Sequence, residues 1–336
     1  MSASLRPRLP IGELFVIGFP GERPPSPWWS FVRDERIGGV IYFEESCRDH
    51  QEFRRLTEEV REMVRPRTTL AAIDQEGGRV CRLKGAPAEY RSASEYGRTN
   101  DLLHFAEEYR RSAGYLESLG INCNLAPVAD LELVKDNPAL IGRTFGDDPH
   151  EISPYITRSI EVAHESGILA CVKHFPGLGA AKIDPHVAVS QASYDFEDWR
   201  HREAIPFRAA IAAQVDLVMT THLILEKVDS RPATVSNVYV KEWLRKSLGY
   251  EGAVITDDLT MQGAEDAGTV GERTVEAFLA GHDVLLFGRE FERAMEAYDY
   301  FIDCYERGEI DPALVRHSLQ RIAGLKYKLD RVSSRA

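Results

Sequence analysis

Short runs of β-branched and aliphatic residues alternate along the chain with longer stretches whose apolar positions recur every three or four residues. The runs are Leu14–Gly18, Gly39–Phe43, Thr69–Asp74, Asn122–Pro127, Leu169–His174, Leu217–His222, Ala253–Asp257 and Asp283–Phe287. None shows the in–out alternation of a half-exposed strand. Runs apolar on both faces belong in a parallel sheet covered by helices. Between them, Leu102, Phe105, Tyr109, Ala113, Leu116 and Leu119 mark a helical stripe behind Asn100 and Asp101, with Gly120 as its stop. Ser153–Pro154 predicts a helix start, a cap followed by proline at the first helical position, and Gly167 its end just before a strand. Ser236 and Gly249 bracket another helix, and Gly281 stops a further one.

Eight strand–helix repeats without a Pro/Ser-rich linker predict an α/β fold closed as a single-domain (β/α)8 TIM barrel. The domain is expected to span 1–336, with a core of about 11–325 and a polar tail, 326–336, that frays. An open doubly wound sheet is the structural competitor, but no Gly-x-Gly-x-x-Gly follows an early strand to support a nucleotide.

Composition narrows the function classes. The 336 residues exceed the roughly 250 of an ordinary barrel. With 43% hydrophobic and 28% charged residues, a large core is available. The 41 Lys and Arg against 53 Asp and Glu leave a net charge of −12, with no basic stripe, which argues against a nucleic-acid partner. No apolar run approaches the roughly 18 residues of a membrane span, so no membrane partner is expected. Pro10, Gly12 and Glu13 interrupt the stretch that a signal peptide would need, and a cytoplasmic enzyme is expected. Cys47, Cys81, Cys123, Cys171 and Cys304 are scattered and odd in number, as for reduced thiols rather than disulfides or a zinc cage.

In such a barrel, chemistry gathers at the carboxyl ends of the strands. The third run leads into Asp74-Gln75-Glu76-Gly77-Gly78-Arg79 and on to Arg82. Asp130 and Arg143 follow the fourth; the fifth ends Lys173-His174, the sixth Thr221-His222 and the seventh Asp257-Asp258. A lone carboxylate after a strand is most often a helix cap. Polar endings at five strands together point to a shared polar site.

These endings sit in recognisable strings. AIDQEGGRVCRL from Ala72, NLAPVADL from Asn124, IGRTFGDDP from Ile141, KHFPGLGAAKIDPH from Lys173, VMTTH from Val218 and VITDDLTMQGA from Val254 together resemble glycoside hydrolase family 3, in particular its single-domain β-N-acetylglucosaminidases. The resemblance runs in the family's order from Leu14 to Gly288. It implies a barrel and a retaining mechanism that releases terminal β-linked N-acetylglucosamine, in bacteria during turnover of cell-wall muropeptides. It further implies Asp257 as nucleophile and the Asp184-x-His186 dyad as acid/base. Asp74, Arg82, Arg143, Lys173 and His174 would hold the sugar, with His222 beside that subsite. A small carbohydrate is the only partner implied, and no metal or cofactor. The sequence leaves the oligomeric state open.

The chemistry suits these residue types. A retaining glycosidase needs a carboxylate at the anomeric carbon and a proton donor for the departing oxygen. Histidine, with an ordinary pKa near 6.5, can give and retake that proton around neutrality, and Asp184 could fix its tautomer. Neighbours on an extended segment point oppositely, so only one of Asp257 and Asp258 can face the sugar; the resemblance implies that it is Asp257 and leaves Asp258 as a cap or salt-bridge partner. Glu76, Arg79 and Asp130 read as supporting residues. The segment from Phe175 to Pro185 is expected to be an irregular loop over the site. Leu178 stands where the family usually has His, Pro185 where Ser is commoner, and Glu44 and Glu45 where it often shows Arg-Asn. Three other readings stay open: a family 3 β-glucosidase, an inactive sugar-binding barrel, and a Schiff-base enzyme built on Lys173.

Overall fold

In the computed structural model, which describes residues 8–135, 137–181 and 190–333, each of the eight apolar runs contains a strand. In chain order the strands are β1 (Phe15–Ile17), β2 (Gly39–Tyr42), β3 (Leu70–Ile73), β4 (Gln75–Gly77), β5 (Val80–Cys81) and β6 (Cys123–Asn124). They continue with β7 (Leu169–Phe175), β8 (Ser190–Ala192), β9 (Leu217–Thr220), β10 (Leu223–Leu225), β11 (Ala253–Ile255) and β12 (Leu285–Phe287). Eight of them form one parallel sheet in the order β11-β9-β7-β6-β3-β2-β1-β12. Its two edges meet: Ile255 bridges Val284 in parallel, and the Val284 N–H donates to the Val254 carbonyl at 3.0 Å. The sheet is therefore a barrel rather than an open doubly wound sheet, and among the described residues it leaves no long unpaired edge.

The register places small and branched side chains at matching depth, with Val16 beside Gly39, Val40 beside Ala71, Ile73 beside Asn124 and Val218 beside Val254. Gly39 leaves room for its neighbours: a Cβ there would come within 2.8 Å of Leu70 Cβ and 2.9 Å of Val16 Cγ2. Two small pairings lie outside the barrel and were not expected from the sequence. These are the antiparallel hairpin β4–β5 and the parallel pair β8–β10. Both are too short to show a period of two.

Most helix punctuation falls where the sequence put it. Asp101 caps the helix Leu102–Ser118 by accepting from the His104 N–H, and Gly281 ends the helix Val270–Ala280 in the left-handed region. The helix between Ser236 and Gly249 runs over Val238–Ser247, wound as a π-helix.

Two expectations fail. The helix expected to start at Ser153–Pro154 begins earlier, at Pro149, because the Asp148 side chain accepts from the His150 and Glu151 N–H groups and Pro149 takes the first turn. Pro154 lies inside that helix. The tail expected to fray is also helical: the last helix spans Pro312–Ser333.

That last helix crosses the amino ends of the strands and is tied down along its length. Arg321 pairs with Asp283, Lys326 with Glu13 and Lys328 with Asp216, while the Thr68 hydroxyl donates to Asp330 and Leu329 is buried. Polar residues after Leu325 are thus the partners of carboxylates at the base of the barrel. Among the described residues, no helix is long and apolar enough to cross a membrane. All five cysteines are buried and free.

Deleting 326–336 removes the Leu329 contact, worth about 1.5–3 kcal/mol, and leaves the Glu13 carboxylate with one cation fewer. The truncated protein should lose about 2–4 kcal/mol in urea unfolding. An unchanged midpoint would show that this end of the helix contributes nothing.

Candidate active site

The carboxyl ends of the barrel strands surround a cavity of about 290 Å³ whose wall includes Asp74, Glu76, Arg82, Arg143, Lys173, His174, Asp257 and Asp258. Asp74 is the residue after β3. The chain then reverses through β4–β5, an arrangement held by the fully buried Gln75. Its Nε2 donates to the Leu83 and Ala88 carbonyls at 3.0 and 3.1 Å, and its Oε1 accepts from the Arg82 and Leu83 N–H groups at 2.9 and 3.1 Å. Asn124, at the end of β6, clasps the Gln75 backbone from the other side through its N–H (3.0 Å) and carbonyl (2.9 Å). Together these bonds return Arg82 to within 3.2 Å of Asp74.

On β7, Lys173 and His174 both face the cavity although consecutive residues of a regular strand alternate. The pairing with β9 slips between Val172 and Phe175, and such an irregularity re-aims side chains. The Lys173 ammonium lies 2.6 Å from Asp74 Oδ1 and 2.6 Å from Glu76 Oε1. Arg143 grips Glu76 with two parallel bonds of 2.7 and 2.8 Å. Its NH2 group also lies 3.3 Å from His174 Nε2. A guanidinium N–H only donates, so Nε2 is the accepting side of this imidazole and Nδ1 carries the hydrogen, directed at Asp130 Oδ2 2.6 Å away.

The charges control one another. Burial alone would raise the Asp74 carboxyl, but Lys173 and then Arg82 outweigh it and hold it far below the ordinary carboxylate range. For Glu76 burial is likewise overcome, by Arg143 and Lys173, and its pKa falls to about 2. Burial would lower the Lys173 ammonium, yet the two carboxylates raise it. A lysine held charged in this way is the opposite of the neutral amine that a Schiff base requires. Arg82 is less saturated: its Nε is buried and has no hydrogen-bond partner among the described residues.

Across the cavity stands Asp257, just beyond β11. Its Oδ1 accepts the Asp258 N–H at 2.9 Å, and among the described residues no cation is paired with it. Asp258 also borders the cavity, contrary to the expected alternation, because both residues lie past the strand end. Its carboxylate nevertheless caps a turn, accepting from the Thr260 N–H and hydroxyl at 2.9 and 2.7 Å, with no ion pair among the described residues. Burial raises its pKa, partly offset by those bonds and by the Gly288 N–H. The fit there is tight: a Cβ on Gly288 would stand 2.1 Å from Asp258 Oδ2.

His222 was expected beside the sugar and stands instead behind the wall. It is fully buried between Thr234, whose Oγ1 lies 2.8 Å from Nδ1, and the Asp258 carbonyl, 3.0 Å from Nε2. Burial lowers its pKa, and Asp257 is the main opposing influence. It is placed to support the Asp257–Asp258 segment from the rear, a consequence of the strand-end direction that spacing alone does not give.

Asp184 and His186 lie outside the described residues. Arg79, read as supporting, reaches the Pro138 and Ala139 carbonyls at 2.7 and 2.8 Å and borders the cavity. Glu45 forms an ion pair with Arg289, which also lies 4.0 Å over the Phe43 ring at the rim. Sequence reasoning underrated Glu76, the second carboxylate of the ion cluster, and missed Gln75 and Asn124. Glu76's place two residues after Asp74 was the available signal, since a two-residue step returns a side chain to the same face. Among the described residues, no group of three or more His, Cys, Asp or Glu side chains is arranged to hold a metal ion.

Comparison with known proteins agrees with this architecture. The profile described as the glycosyl hydrolase family 3 N terminal domain matches residues 8–325. A β-hexosaminidase of Photobacterium profundum is 31% identical over 270 residues, covering 80% of this chain and 79% of that protein. An uncharacterized secreted glycosyl hydrolase of Arthroderma benhamiae is 30% identical over 329 residues, covering 95% and 92%. Among solved structures, a glycoside hydrolase family 3 β-N-acetylglucosaminidase from a Paenibacillus species superposes with a TM-score of 0.92 at 31% identity. It covers 96% of this chain, which spans 62% of that longer one.

The ion cluster sets a pH dependence of stability. Glu76 binds its proton more weakly folded (about 2) than at its ordinary 4.5, so its contribution is complete above pH 4.5 and is lost as pH falls toward 2. Glu76→Gln should cost about 3–5 kcal/mol at pH 7, by leaving buried cations short of a partner. It should also flatten part of the acid-side fall in urea midpoint. Equal stability of the two proteins at pH 7 would contradict this.

Proposed function

The chain belongs to glycoside hydrolase family 3, and on that premise we propose that it is a retaining β-N-acetylglucosaminidase. The observation that carries the reading is the opposition of Asp257, a carboxylate without a paired cation among the described residues, to a fixed cluster of cations and carboxylates across a cavity of about 290 Å³. A terminal sugar lying between them would meet donors from Arg82, Lys173 and Arg143 and acceptors from Asp74. Hydroxyls bonded in this way discriminate sharply, because a ligand that lacks one leaves a buried group unpaired.

In this reading Asp257 attacks the anomeric carbon as the bond to the leaving oxygen breaks, giving a glycosyl ester. His186 gives its proton to that oxygen, with Asp184 stabilising the imidazolium. A water then enters, His186 takes back a proton, and the ester is cleaved with net retention. The relatives named for β-hexosaminidase and β-N-acetylglucosaminidase activity support the choice of sugar. Cytoplasmic residence and a role in cell-wall muropeptide turnover belong to the same proposal. They are supported by five unpaired, buried cysteines, which suit a reducing compartment, and by the branch of the family that the chain resembles.

The test is a side-by-side assay on chromogenic β-N-acetylglucosaminide and β-glucoside. The acetamido sugar should be hydrolysed at least about tenfold faster, and Asp257→Ala should lose about 10³-fold or more in kcat, on the scale of a removed nucleophile. Equal rates on the two sugars would overturn the sugar assignment, and an active Asp257→Ala protein the nucleophile. His186→Ala should lose least on substrates with good leaving groups, which need little protonation.

A further inference from the structure

Asp257 is held through its neighbour. The Asp258 N–H donates to Asp257 Oδ1 at 2.9 Å, and among the described residues the Asp257 carboxylate takes no other hydrogen bond. The direction of that N–H is therefore part of how the carboxylate is aimed. Residue 258 lies past the end of β11, so its backbone is fixed by the bonds made to its turn.

Those bonds come from the two barrel neighbours of β11. On the β12 side, the Leu286 carbonyl accepts the Leu259 N–H at 3.0 Å, and the Gly288 N–H donates to the Asp258 carboxylate. Arg293, on the helix Phe291–Arg307 that follows β12, reaches the Thr260 carbonyl at 3.4 Å. The pairing of β11 with β9 reaches only Ile255 and Met219. Beyond it, the β9 side reaches the turn through His222, whose Nε2 lies 3.0 Å from the Asp258 carbonyl. That carbonyl also accepts the Met261 N–H at 3.1 Å, a bond inside the turn that moves with it. A carbonyl only accepts, so Nε2 carries a hydrogen. The other edge of the ring is held by Thr234, whose Oγ1 lies 2.8 Å from Nδ1 and 3.0 Å from the Thr221 carbonyl. His222 and Thr234 are both buried, so a bond lost here is not replaced by bulk water.

We infer that His222 is a positioning residue for the nucleophile: by holding the Asp258 carbonyl from the β9 side, it keeps the Asp258 N–H on Asp257 Oδ1 and the carboxylate aimed at the sugar. This rests on the proposed assignment of Asp257 as nucleophile. The task needs a donor at the place of Nε2 rather than an imidazole as such. Glutamine can bring its NH2 to that place, whereas asparagine, one methylene shorter, reaches only as far as Nδ1. Both substitutions remove the ring and keep a neutral amide in the same buried site.

A ring that merely fills space is lost equally in the two variants, and general damage weakens sugar binding along with turnover. Loss of aim lowers kcat, leaves binding intact and is repaired by the longer amide. The experiment measures kcat on phenyl β-N-acetylglucosaminide, whose poor leaving group makes formation of the glycosyl ester slow, and the inhibition constant of free N-acetylglucosamine. Wild type, His222→Asn and His222→Gln are compared. His222→Asn should lose about 10- to 100-fold in kcat, the scale of a small misplacement of reacting atoms, with an inhibition constant within about twofold of wild type. His222→Gln should recover most of that loss. Equal losses in the two variants, or a loss confined to binding, would overturn the inference about His222 alone. A wild type that hydrolyses no β-N-acetylglucosaminide would overturn the glycosidase reading, and this inference with it. Should His222→Asn fail to fold, the tautomer of His222 in the wild type is read by nitrogen NMR of histidine-labelled protein, with the signal assigned by its absence in His222→Gln. Hydrogen on Nε2 is expected, and a ring with hydrogen on Nδ1 and none on Nε2 would count equally against the inference.

Discussion

The mouth of this barrel is organised around one constraint: an ammonium and a guanidinium buried at a strand end must each find carboxylates within bonding distance. Lys173 is shared by Asp74 and Glu76, and Glu76 is shared in turn with Arg143. Removing such charges from water costs several kcal/mol each, and only close pairing with remaining hydrogen bonds satisfied offsets that cost. The cluster therefore cannot relax piece by piece. These pairs hold Asp74, Lys173 and Arg143 at bonding distance from their neighbours, and under the proposed function that is the preorganisation a hydroxyl-binding site needs.

The backbone that carries these groups is held by uncharged amides. Gln75 and Asn124 between them occupy the polar groups of a hairpin too short to be stable by itself. The irregular pairing of β7 turns two successive side chains inward, and just past β11 and β12 Asp258 and Gly288 pack so closely that any side chain at Gly288 would meet the Asp258 carboxylate. Regular barrel architecture supplies the positions, and local departures from regularity aim the side chains.

The barrel was largely legible in the sequence because parallel strands buried on both faces leave uninterrupted apolar runs, and all eight were visible. Helix starts were harder to read. Two proline-bearing cap signals lay within a few residues, and Asp148–Pro149 prevailed over Ser153–Pro154 because the aspartate reaches two free N–H groups. The tail misled for a different reason: its polar composition predicted fraying, whereas the partners of Lys326 and Lys328, Glu13 and Asp216, are far away along the chain, beyond the reach of any local pattern. In the site, strand-end location pointed to one shared polar centre, and the resemblance assigned Asp74, Arg82, Arg143, Lys173 and His174 to it as one group. They did not reveal that His222 stands behind the wall, nor that Glu76 belongs to the central ion cluster. Both depend on side-chain direction, which spacing leaves open.

The clasp between the last helix and the base of the barrel bears on how a cell makes this protein. Glu13, near the start of β1, is matched by Lys326, and β1 itself pairs with β12. While a ribosome is still building the chain, the amino-terminal strand has only one of its two eventual neighbours, and its carboxylate lacks the helix that will cover it. Barrel closure must therefore wait until β12 and the helix Pro312–Ser333 have left the exit tunnel. The half-made chain would present an open edge for that interval, as expected of a topology rich in long-range pairing.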